Sequence, residues 1–363
     1  MSLAPSPRDD AWMELALRFA ARHLGATAEN PSVGCVLVQG EQLVGTGITA
    51  LGGRPHAETE AMISAGAQAR GATAYVTLEP CAHTGKTPPC AQALIAAGIA
   101  RVVIGATDPD PRVCGKGAAM LRDAGIAVTL LEHPKARAQL RGFFRRVQHG
   151  LPEVTLKIAT SADGFMASRE ARWITGELAR AHGHALRATH SAILTGSGTV
   201  LFDNPALTCR IAGLENRSPA RFILDRRLRT PLKSTLVQTA EKNPTHILTT
   251  PEGVELQASH ATELREHGAV LHVLEDASLQ NILRAIAALG HHRVLVEAGA
   301  SLSAAFLEAK LVDTLVHYTA PHTLGAQGAA PLSYNPPAEA LHAQQILAPD
   351  TVSHYKLASC LQG

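Results

Sequence analysis

Residues 78–90 read LEPCAHTGKTPPC, and residues 56–58 read HAE. His56, Cys81 and Cys90 offer one imidazole and two thiols, a ligand set that suits tetrahedral zinc. Three protein ligands leave the fourth position to water, which is typical of a catalytic zinc site. His56 and Cys90 each begin a predicted helix, where the helix dipole favours a thiolate and so eases metal binding. The two stretches therefore predict a catalytic zinc site.

Glu58 is the candidate proton carrier of this site. It follows His56 by two residues on the same first turn of a helix, beside the metal but not as a ligand. Zinc lowers the pKa of a bound water from about 15.7 to about 7, and a neighbouring carboxylate can then move the released proton. An isolated His-x-Glu carries little weight, and most isolated cysteines are small buried apolar side chains. In this order, however, the residues match the signature of zinc nucleobase deaminases.

The spacing of the two cysteines indicates which class of substrate the site binds. Eight residues separate Cys81 from Cys90, whereas deaminases of nucleosides and polynucleotides usually carry two. The intervening loop contains His83, Gly85 and Lys86. Because a glycine with adjacent basic side chains suits a phosphate group, the loop favours a pocket for a phosphorylated pyrimidine.

The first part of the chain alternates apolar helices with short apolar strands. Helices are predicted over residues 11–23, 57–69, 91–97 and 117–124, and strands over 33–38, 43–48, 74–78, 101–106 and 127–131. Such alternation, with helices of about a dozen residues, indicates an α/β domain in which helices enclose a mainly parallel sheet.

The second half restarts this alternation after an arginine-rich connector at residues 135–146. Leu151-Pro152 marks a boundary, and we assign residues 1–148 to a first domain and 149–363 to a second. Strands are predicted over residues 154–160, 192–195, 221–224, 246–249, 270–274, 293–296 and 314–318, and helices over 176–189, 279–289 and 301–308. A loop is predicted over 324–337. His182, His184 and His190 are expected at the surface, because no nearby cysteine or acid completes a site.

Composition excludes several classes of protein. The chain has 363 residues, 46% hydrophobic and 18% charged, so it can bury a core. The 33 basic and 31 acidic residues give a net charge of +2, and aromatic residues make up 4%, so we expect no nucleic-acid partner. We find no apolar run of membrane-spanning length and no signal peptide, so we expect no membrane association. Six cysteines do not form a disulfide scaffold, and a reducing, cytoplasmic location is expected.

A series of motifs carries a resemblance to a known family. The first half contains NPSVGC at 30–35, HAE at 56–58, LEPCAHTGKTPPC at 78–90 and DPDPRV at 108–113. The second half contains DG at 163–164, WIT at 173–175, LRA at 186–188, TVLFDNPALT at 199–208 and VEAG at 296–299. Together they resemble the bifunctional deaminase/reductases of riboflavin biosynthesis, in the family's order and over nearly the whole chain.

The resemblance implies two folds and two successive reactions. It implies a cytidine-deaminase-like three-layer domain followed by an α/β domain similar to dihydrofolate reductase. The first domain would use zinc to deaminate 2,5-diamino-6-(ribosylamino)-4(3H)-pyrimidinone 5′-phosphate by hydrolysis. The second would use NADPH to reduce the ribosyl group to a ribityl chain. The expected partners of both domains are small phosphorylated pyrimidines, not macromolecules. A homodimer or tetramer is expected for such a reductase.

The resemblance also implies a role for individual residues. In the deaminase, zinc would be held by His56, Cys81 and Cys90, with Glu58 as acid and base. The deaminase substrate would be contacted by Asn30, His83, Lys86 and Asp108, with Lys86 as the candidate phosphate ligand. NADPH would be contacted by Ala159, Trp173, Thr199, Asp203 and Gly299. The reductase substrate would be contacted by Arg187, Leu207, Arg210 and Glu297. Asp203 is also the candidate for a catalytic role near the reacting carbon.

Two departures from the family's pattern and two alternatives accompany these assignments. Asp110 stands where the family commonly has Asn, and the segment from Asp163 to Trp173 is short, with Ala171 in place of a frequent Ser. One alternative is a deaminase whose second half has lost catalysis; the presence of Asp203, Arg187, Arg210 and Glu297 argues against it. The other is a nucleic-acid deaminase or binding module, against which the charge balance and the long inter-cysteine loop argue.

Overall fold

A computed structural model describes residues 6–83, 88–332 and 334–357 of the chain. The chain divides into two compact units, Met1–Leu151 and Pro152–Gly363. Lys86, the candidate phosphate ligand, lies outside the described residues. None of the helices in the described ranges combines the length and the hydropathy that crossing a bilayer requires.

The first unit is built from helices and strands that alternate along the chain. Its helices are α1 (Pro7–Ala21), α2 (Ala57–Ala65), α3 (Cys90–Ala96), α4 (Lys116–Asp123), α5 (Pro134–Gln139) and α6 (Arg141–His149). Its strands are β1 (Gly34–Gln39), β2 (Gln42–Ile48), β3 (Thr73–Val76), β4 (Arg101–Ile104) and β5 (Ala127–Leu130). The predicted elements are all present: α2, β3, β4 and β5 are shorter than predicted, α1 and β2 are longer, and the other three have the predicted length.

These five strands form one sheet in the order β2-β1-β3-β4-β5. β1 is antiparallel to β2 and β3, and β3, β4 and β5 are parallel. Neighbouring residues of a strand face opposite sides of the sheet. A Cβ at Gly34 would lie 2.0 Å from Ala16 O of α1, and a Cβ at Gly47, which pairs with Cys35, would lie 2.0 Å from Ala57 O of α2. Helices thus cover both faces, which confirms the three-layer prediction.

Helix α1 begins at Pro7 and not, as predicted, at Ala11. Ser6 Oγ accepts a hydrogen bond from Asp9 N, and the Asp9 carboxylate accepts one from Ser6 N, a reciprocal pair that stabilises the first turn. Asp9 also accepts two hydrogen bonds from the guanidinium of Arg101, at 2.9 and 3.0 Å, which joins α1 to β4.

The second unit is a larger α/β structure. Its strands are β6 (Glu153–Thr160), β7 (Phe165–Ser168), β8 (Ala192–Gly196), β9 (Ala220–Leu224), β10 (Thr245–Thr249), β11 (Val270–Val273), β12 (Arg293–Val296), β13 (Thr314–Thr319), β14 (Gly328–Pro331), β15 (Leu341–Leu347) and β16 (Asp350–Lys356). Its helices are α7 (Glu177–Ala188), α8 (Ser197–Asp203), α9 (Thr235–Gln238), α10 (Pro251–Leu256), α11 (Ala258–Glu266), α12 (Leu279–Ala288) and α13 (Ala300–Glu308).

Nine of these strands form a mixed sheet in the order β11-β10-β9-β8-β12-β6-β13-β16-β15. The strands from β11 to β13 are parallel, and β16 and β15 add an antiparallel edge. The carboxyl ends of β8, β12 and β6, which are neighbours, therefore meet at one edge of the sheet. In open α/β sheets this edge is where ligands bind.

The predicted loop over residues 324–337 is wrong in part. Within it, β14 pairs antiparallel with β7, so that Gly328 lies opposite Ser168. β14 is short and gains its hydrogen bonds from a strand more than a hundred residues earlier, which local sequence does not reveal. The final hairpin of β15 and β16 was also not predicted.

Candidate active sites

The predicted zinc ligands come together in the first unit. His56 is the residue that precedes α2, Cys90 is the first residue of α3, and Cys81 lies in the segment after β3. His56 Nδ1 lies 3.3 Å from Cys90 Sγ and 3.9 Å from Cys81 Sγ. The three ligand atoms lie within 4.8 Å of one another, the one such group of three among the described residues.

These residues fit a zinc ion in spacing and in chemistry. In a tetrahedral site with ordinary Zn–N and Zn–S bonds, a nitrogen and a sulfur ligand are separated by about 3.5 Å, between the two distances observed. Hydrogen bonds from Cys90, whose N lies 3.2 Å from Cys81 Sγ, and from His56 lower the pKa of the Cys81 thiol to about 4. Cys81 is therefore a ready thiolate ligand.

Glu58 lies beside the ligands on the first turn of α2. Its side chain is 4% exposed, and its carboxyl accepts a hydrogen bond from the Cys90 thiol. Burial raises the pKa of Glu58 to about 7, although the charge of His56 opposes this rise. A carboxyl with such a pKa can both take up and release a proton near neutral pH.

The other predicted deaminase residues border this site to different degrees. Asn30 Nδ2 donates a hydrogen bond of 3.1 Å to Gly53 O, in the segment that leads into His56. Asp108 is buried, and its burial raises the pKa of its carboxyl to about 6, with the negative charge of Cys81 among the further causes. His83 is exposed, and its charge acts on Asp110.

Asp110, the departure from the family's pattern, shapes the loop that carries Asp108. Its backbone N donates a hydrogen bond of 2.8 Å to Asp108 Oδ1, and its carboxylate accepts two bonds from Arg112 Nε at 2.9 and 3.0 Å. The Asp110 carboxylate is thus bonded to Arg112. The contact to Asp108 comes from the backbone of residue 110, so it does not depend on which side chain stands there.

An ion pair forms the centre of the candidate site in the second unit. Arg187, in the last turn of α7, donates from Nε and Nη2 to the two oxygens of Glu297, at 2.7 and 2.9 Å. Glu297 directly follows β12. Burial alone would raise the pKa of Glu297, but the guanidinium of Arg187 outweighs it and holds this pKa at about 2. The ion pair thus joins Arg187 and Glu297, two of the residues predicted to contact the reductase substrate.

The segment with Leu207 and Arg210 lies against the same pair. Arg187 Nη1 donates to Thr208 O at 3.0 Å, and His184 Nδ1 lies 3.0 Å from the same oxygen. Leu207 is buried with a φ of 53°, while Arg210 is exposed. All four predicted substrate residues of the reductase therefore lie in one region.

The predicted NADPH residues fall into smaller groups. Gly299 N, at the start of α13, donates a hydrogen bond of 3.1 Å to Thr199 Oγ1 of α8, so these two residues meet at the carboxyl ends of β12 and β8. Ala159 lies on β6 opposite Tyr318 of β13.

Trp173 and Asp203 are linked through an arginine. The Trp173 side chain is 54% exposed, and the guanidiniums of Arg172 and Arg180 lie 5.1 and 5.3 Å from its ring centre. Partial desolvation raises the pKa of Asp203, at the end of α8, and the charge of Arg172 opposes this rise. Ala171, the other departure, donates from its N to Ser168 Oγ at 3.0 Å.

The prediction that three histidines lie at the surface is wrong. His190 is 3% exposed and its Nε2 lies 3.0 Å from Thr155 Oγ1. His182 Nδ1 lies 2.6 Å from Tyr318 Oη, and His184 belongs to the Arg187 region. His182 thus bonds to β13, His184 to the loop at Thr208, and His190, which lies just beyond α7, to β6.

Lys157 is a site residue that the motifs did not reveal. It lies on β6 with its Nζ 5.5 Å from the ring centre of Tyr318. Burial lowers the pKa of Lys157, and the negative charge of Glu297 opposes this. The available signal was a lysine between Leu156 and Ile158 in the predicted strand 154–160, since lysine is rarely buried in a core strand.

Comparison with family models divides the chain in the same way. Residues 6–106 match the cytidine and deoxycytidylate deaminase zinc-binding region, and residues 152–352 match the RibD C-terminal domain. The first match contains His56, Cys81 and Cys90. The second contains Arg187 and Glu297.

Individual proteins match over nearly the whole chain. The riboflavin biosynthesis protein RibD of Haemophilus influenzae is 41% identical over 327 residues, 88% of each chain, and that of Escherichia coli is 41% identical over 328 residues, 88% of this chain and 89% of that one. A solved structure of Acinetobacter baumannii RibD has a TM-score of 0.85 at 38% identity, covering 97% of this chain and 99% of that one. A deaminase/reductase from Thermotoga maritima has a TM-score of 0.82 at 32% identity, covering 96% and 99%.

Proposed function

The chain belongs to the RibD family of bifunctional riboflavin-biosynthesis enzymes, and from this premise we propose a role for each residue that its two sites bring together. It is a zinc-dependent deaminase and an NADPH-dependent reductase of riboflavin biosynthesis. It deaminates 2,5-diamino-6-(ribosylamino)-4(3H)-pyrimidinone 5′-phosphate and then reduces the ribosyl group to a ribityl chain.

In the deaminase, we assign zinc to His56, Cys81 and Cys90. Zinc, when bound, supplies a Lewis acid that makes water acidic enough to yield its proton near neutral pH. Glu58 takes that proton, delivers it to the ring nitrogen of the pyrimidine, and passes a further proton to the departing ammonia. The observation that carries this proposal is the position of the buried Glu58 carboxyl, on the first turn of the helix that His56 precedes and within hydrogen-bonding reach of Cys90.

For the deaminase substrate, we place Asn30, His83 and Asp108 around the ring and Lys86 at the phosphate. Gly53 O accepts a hydrogen bond from the Asn30 amide nitrogen, and we assign the amide oxygen to accept one from the substrate. Asp108 keeps one carboxyl oxygen beyond the one bonded to Asp110 N. Both residues lie in segments adjoining the ligands, which supports their assignment to the pocket.

For the reductase, we place NADPH against Ala159, Trp173, Thr199, Asp203 and Gly299. When bound, NADPH supplies the hydride that goes to the anomeric carbon of an open-chain imine. Asp203 donates the proton that the imine nitrogen gains, and partial desolvation shifts the pKa of its carboxyl upward, the direction that aids proton donation. Trp173 and Asp203 act as neighbours, since both interact with Arg172.

The two arginines of the reductase have different roles in this proposal. Arg187 uses Nε, Nη1 and Nη2 on Glu297 and Thr208 O, so it orients Glu297 toward the sugar hydroxyls. Arg210 is exposed and is the guanidinium that binds the substrate phosphate. Leu207 is buried in the core of the second unit and anchors the segment that carries Arg210.

The last features that we propose are the association of two copies of the chain and its location in the cell. We propose that two copies associate through β15, the edge strand of the nine-stranded sheet, on which Leu341 and Ile346 are 44% and 78% exposed. Light scattering of the natural chain and of Ile346→Lys tests this, because the substitution should yield monomers. We place the enzyme in the cytoplasm, where thiol ligands stay reduced.

Anaerobic incubation with the diamino substrate tests the order of the two reactions. Ammonia and NADPH are followed separately. Ammonia release should proceed without NADPH, and NADPH oxidation should begin only after ammonia appears. NADPH oxidation ahead of ammonia release would contradict the proposed sequence.

A further inference from the structure

The Glu79 carboxylate gathers backbone groups from a distant part of the first unit. Glu79 is 3% exposed and precedes Pro80-Cys81 directly. Its Oε2 accepts hydrogen bonds from Asp108 N at 3.3 Å and Gly115 N at 3.0 Å. Its Oε1 accepts one from Ala118 N at 3.1 Å. A buried carboxylate that accepts backbone N–H groups forms stronger bonds than a neutral acceptor would.

The donors of these bonds span one continuous segment, residues 108–118. This segment starts at Asp108 and ends in the first turn of α4, whose leading N–H groups have no partner within the helix. Glu79 therefore fixes both ends of the segment with one side chain. Nothing in the deaminase mechanism proposed above uses Glu79.

A second contact ties the same helix to the metal-ligand segment. A Cβ at Gly117 would lie 2.0 Å from Pro80 O, so the backbone of α4 lies directly against the residue before Cys81. Glu79 N also donates a hydrogen bond of 2.9 Å to Ala106 O, just after β4. The position of α4 is thus set relative to Cys81.

Asp108 is the functional residue that this arrangement places. Its backbone N is held by Glu79, and its carboxylate is turned by the bond from Asp110 N. If the Glu79 carboxylate is lost, the N–H groups of Asp108, Gly115 and Ala118 lose a buried acceptor, which is unfavourable enough to displace the segment.

We propose that Glu79 is a positioning residue of the deaminase, which holds Asp108 at the substrate side of the metal site by binding the backbone of residues 108–118. It touches neither metal nor substrate. The inference rests on the proposed contact between Asp108 and the pyrimidine. It predicts that substrate affinity depends on Glu79 while zinc binding does not, since a hydrogen bond of 3.2 Å from Ala91 N to Cys81 O holds Cys81 independently of residues 108–118.

The test compares Glu79→Gln and Glu79→Asp with the natural full-length, zinc-loaded chain. Gln offers one acceptor oxygen and turns an NH2 group toward N–H donors, whereas Asp keeps the charge on a shorter side chain. Glu79→Gln should raise the KM for the diamino substrate about tenfold and change kcat less than about threefold. The KM of Glu79→Asp should lie between that of the natural chain and that of Glu79→Gln. Glu41→Gln, at an exposed position, is the matched control.

Three further readouts separate positioning from general damage. Zinc per chain and NADPH oxidation on the deaminated substrate should be unchanged. Amide hydrogen exchange over residues 108–118 should accelerate in Glu79→Gln and stay slow in Glu41→Gln. Unchanged exchange, or loss of zinc together with activity, would overturn the proposal. If Glu79→Gln does not fold, Glu79→Asp provides the same readouts.

Asp108→Asn distinguishes this inference from the proposed function on which it rests. It should raise KM without accelerating exchange over residues 108–118. An unchanged KM would show that Asp108 does not bind the pyrimidine, and the proposed function would be wrong at that residue. The exchange measurement on Glu79→Gln would still decide whether Glu79 holds the segment.

Discussion

Glu58 and Glu297 are buried glutamates at the two candidate sites, yet the pKa of one is raised to about 7 and that of the other is lowered to about 2. Burial raises the pKa of both carboxyls. The difference is Arg187, which gives Glu297 two hydrogen bonds and a positive charge, whereas the side-chain hydrogen bond of Glu58 comes from the Cys90 thiol. A buried acid whose pKa lies near neutral can take up and release a proton, whereas an acid held by a guanidinium can orient other groups but stays ionised.

The largest expected effect comes from removing a zinc ligand. Cys81→Ala should lose zinc and all measurable ammonia release, because the remaining His56 and Cys90 make an incomplete site. NADPH oxidation on the supplied deaminated substrate should continue at the natural rate. Metal analysis and the two separate assays check this. Cys114→Ala, at an exposed cysteine, should keep its zinc.

The reductase should fail selectively when Asp203 is changed. Asp203→Ala removes the proposed proton donor, so NADPH oxidation on the deaminated substrate should fall by roughly a hundredfold or more. Ammonia release should be unaffected, and NADPH should still bind, as its fluorescence would show. Oxidation at the natural rate would mean that the proton comes from elsewhere.

A smaller effect, on stability, should follow from the low pKa of Glu297. A carboxyl whose pKa is lower in the folded state stabilises the fold above its unfolded value, here 4.5, and this contribution is lost as pH falls toward about 2. The full shift corresponds to about 3 kcal/mol. The stability of the natural chain relative to Glu297→Gln should therefore decrease by up to that amount between pH 6 and pH 2.

Urea unfolding of the second unit measures this difference. The chain has two tryptophans, Trp12 and Trp173, and replacing Trp12 with phenylalanine leaves Trp173 as the fluorescent reporter of that unit. A stability difference that stays constant with pH would show that Arg187 does not depress the pKa of Glu297.

The zinc site could be predicted from sequence more completely than the reductase site, for a physical reason. Zinc needs particular ligand types, and the sequence shows them directly as His56, Cys81 and Cys90, two of which lie at the N-termini of predicted helices. The Arg187–Glu297 pair joins residues 110 positions apart on a helix and after a strand, and no local pattern links them. Both residues were predicted as substrate contacts from the family resemblance alone.

The same reason explains the errors in the fold. The strands with apolar runs were predicted, because alternation and length identify them locally. β14 and the buried position of His190 were missed, because each depends on a partner far away in sequence: β7 for the strand and Thr155 for the histidine. The early start of α1 was different, since Ser6 and Asp9 carried a local capping signal that the apolar pattern obscured.

Glu58→Gln tests the central claim most directly, because it changes the proton carrier and leaves the metal ligands intact. The zinc content should remain that of the natural chain, ammonia release should fall by about two to four orders of magnitude, and NADPH oxidation on the deaminated substrate should persist. Glu60→Gln, on the same first turn of α2, should release ammonia normally. Ammonia release at the natural rate from zinc-loaded Glu58→Gln would contradict the account.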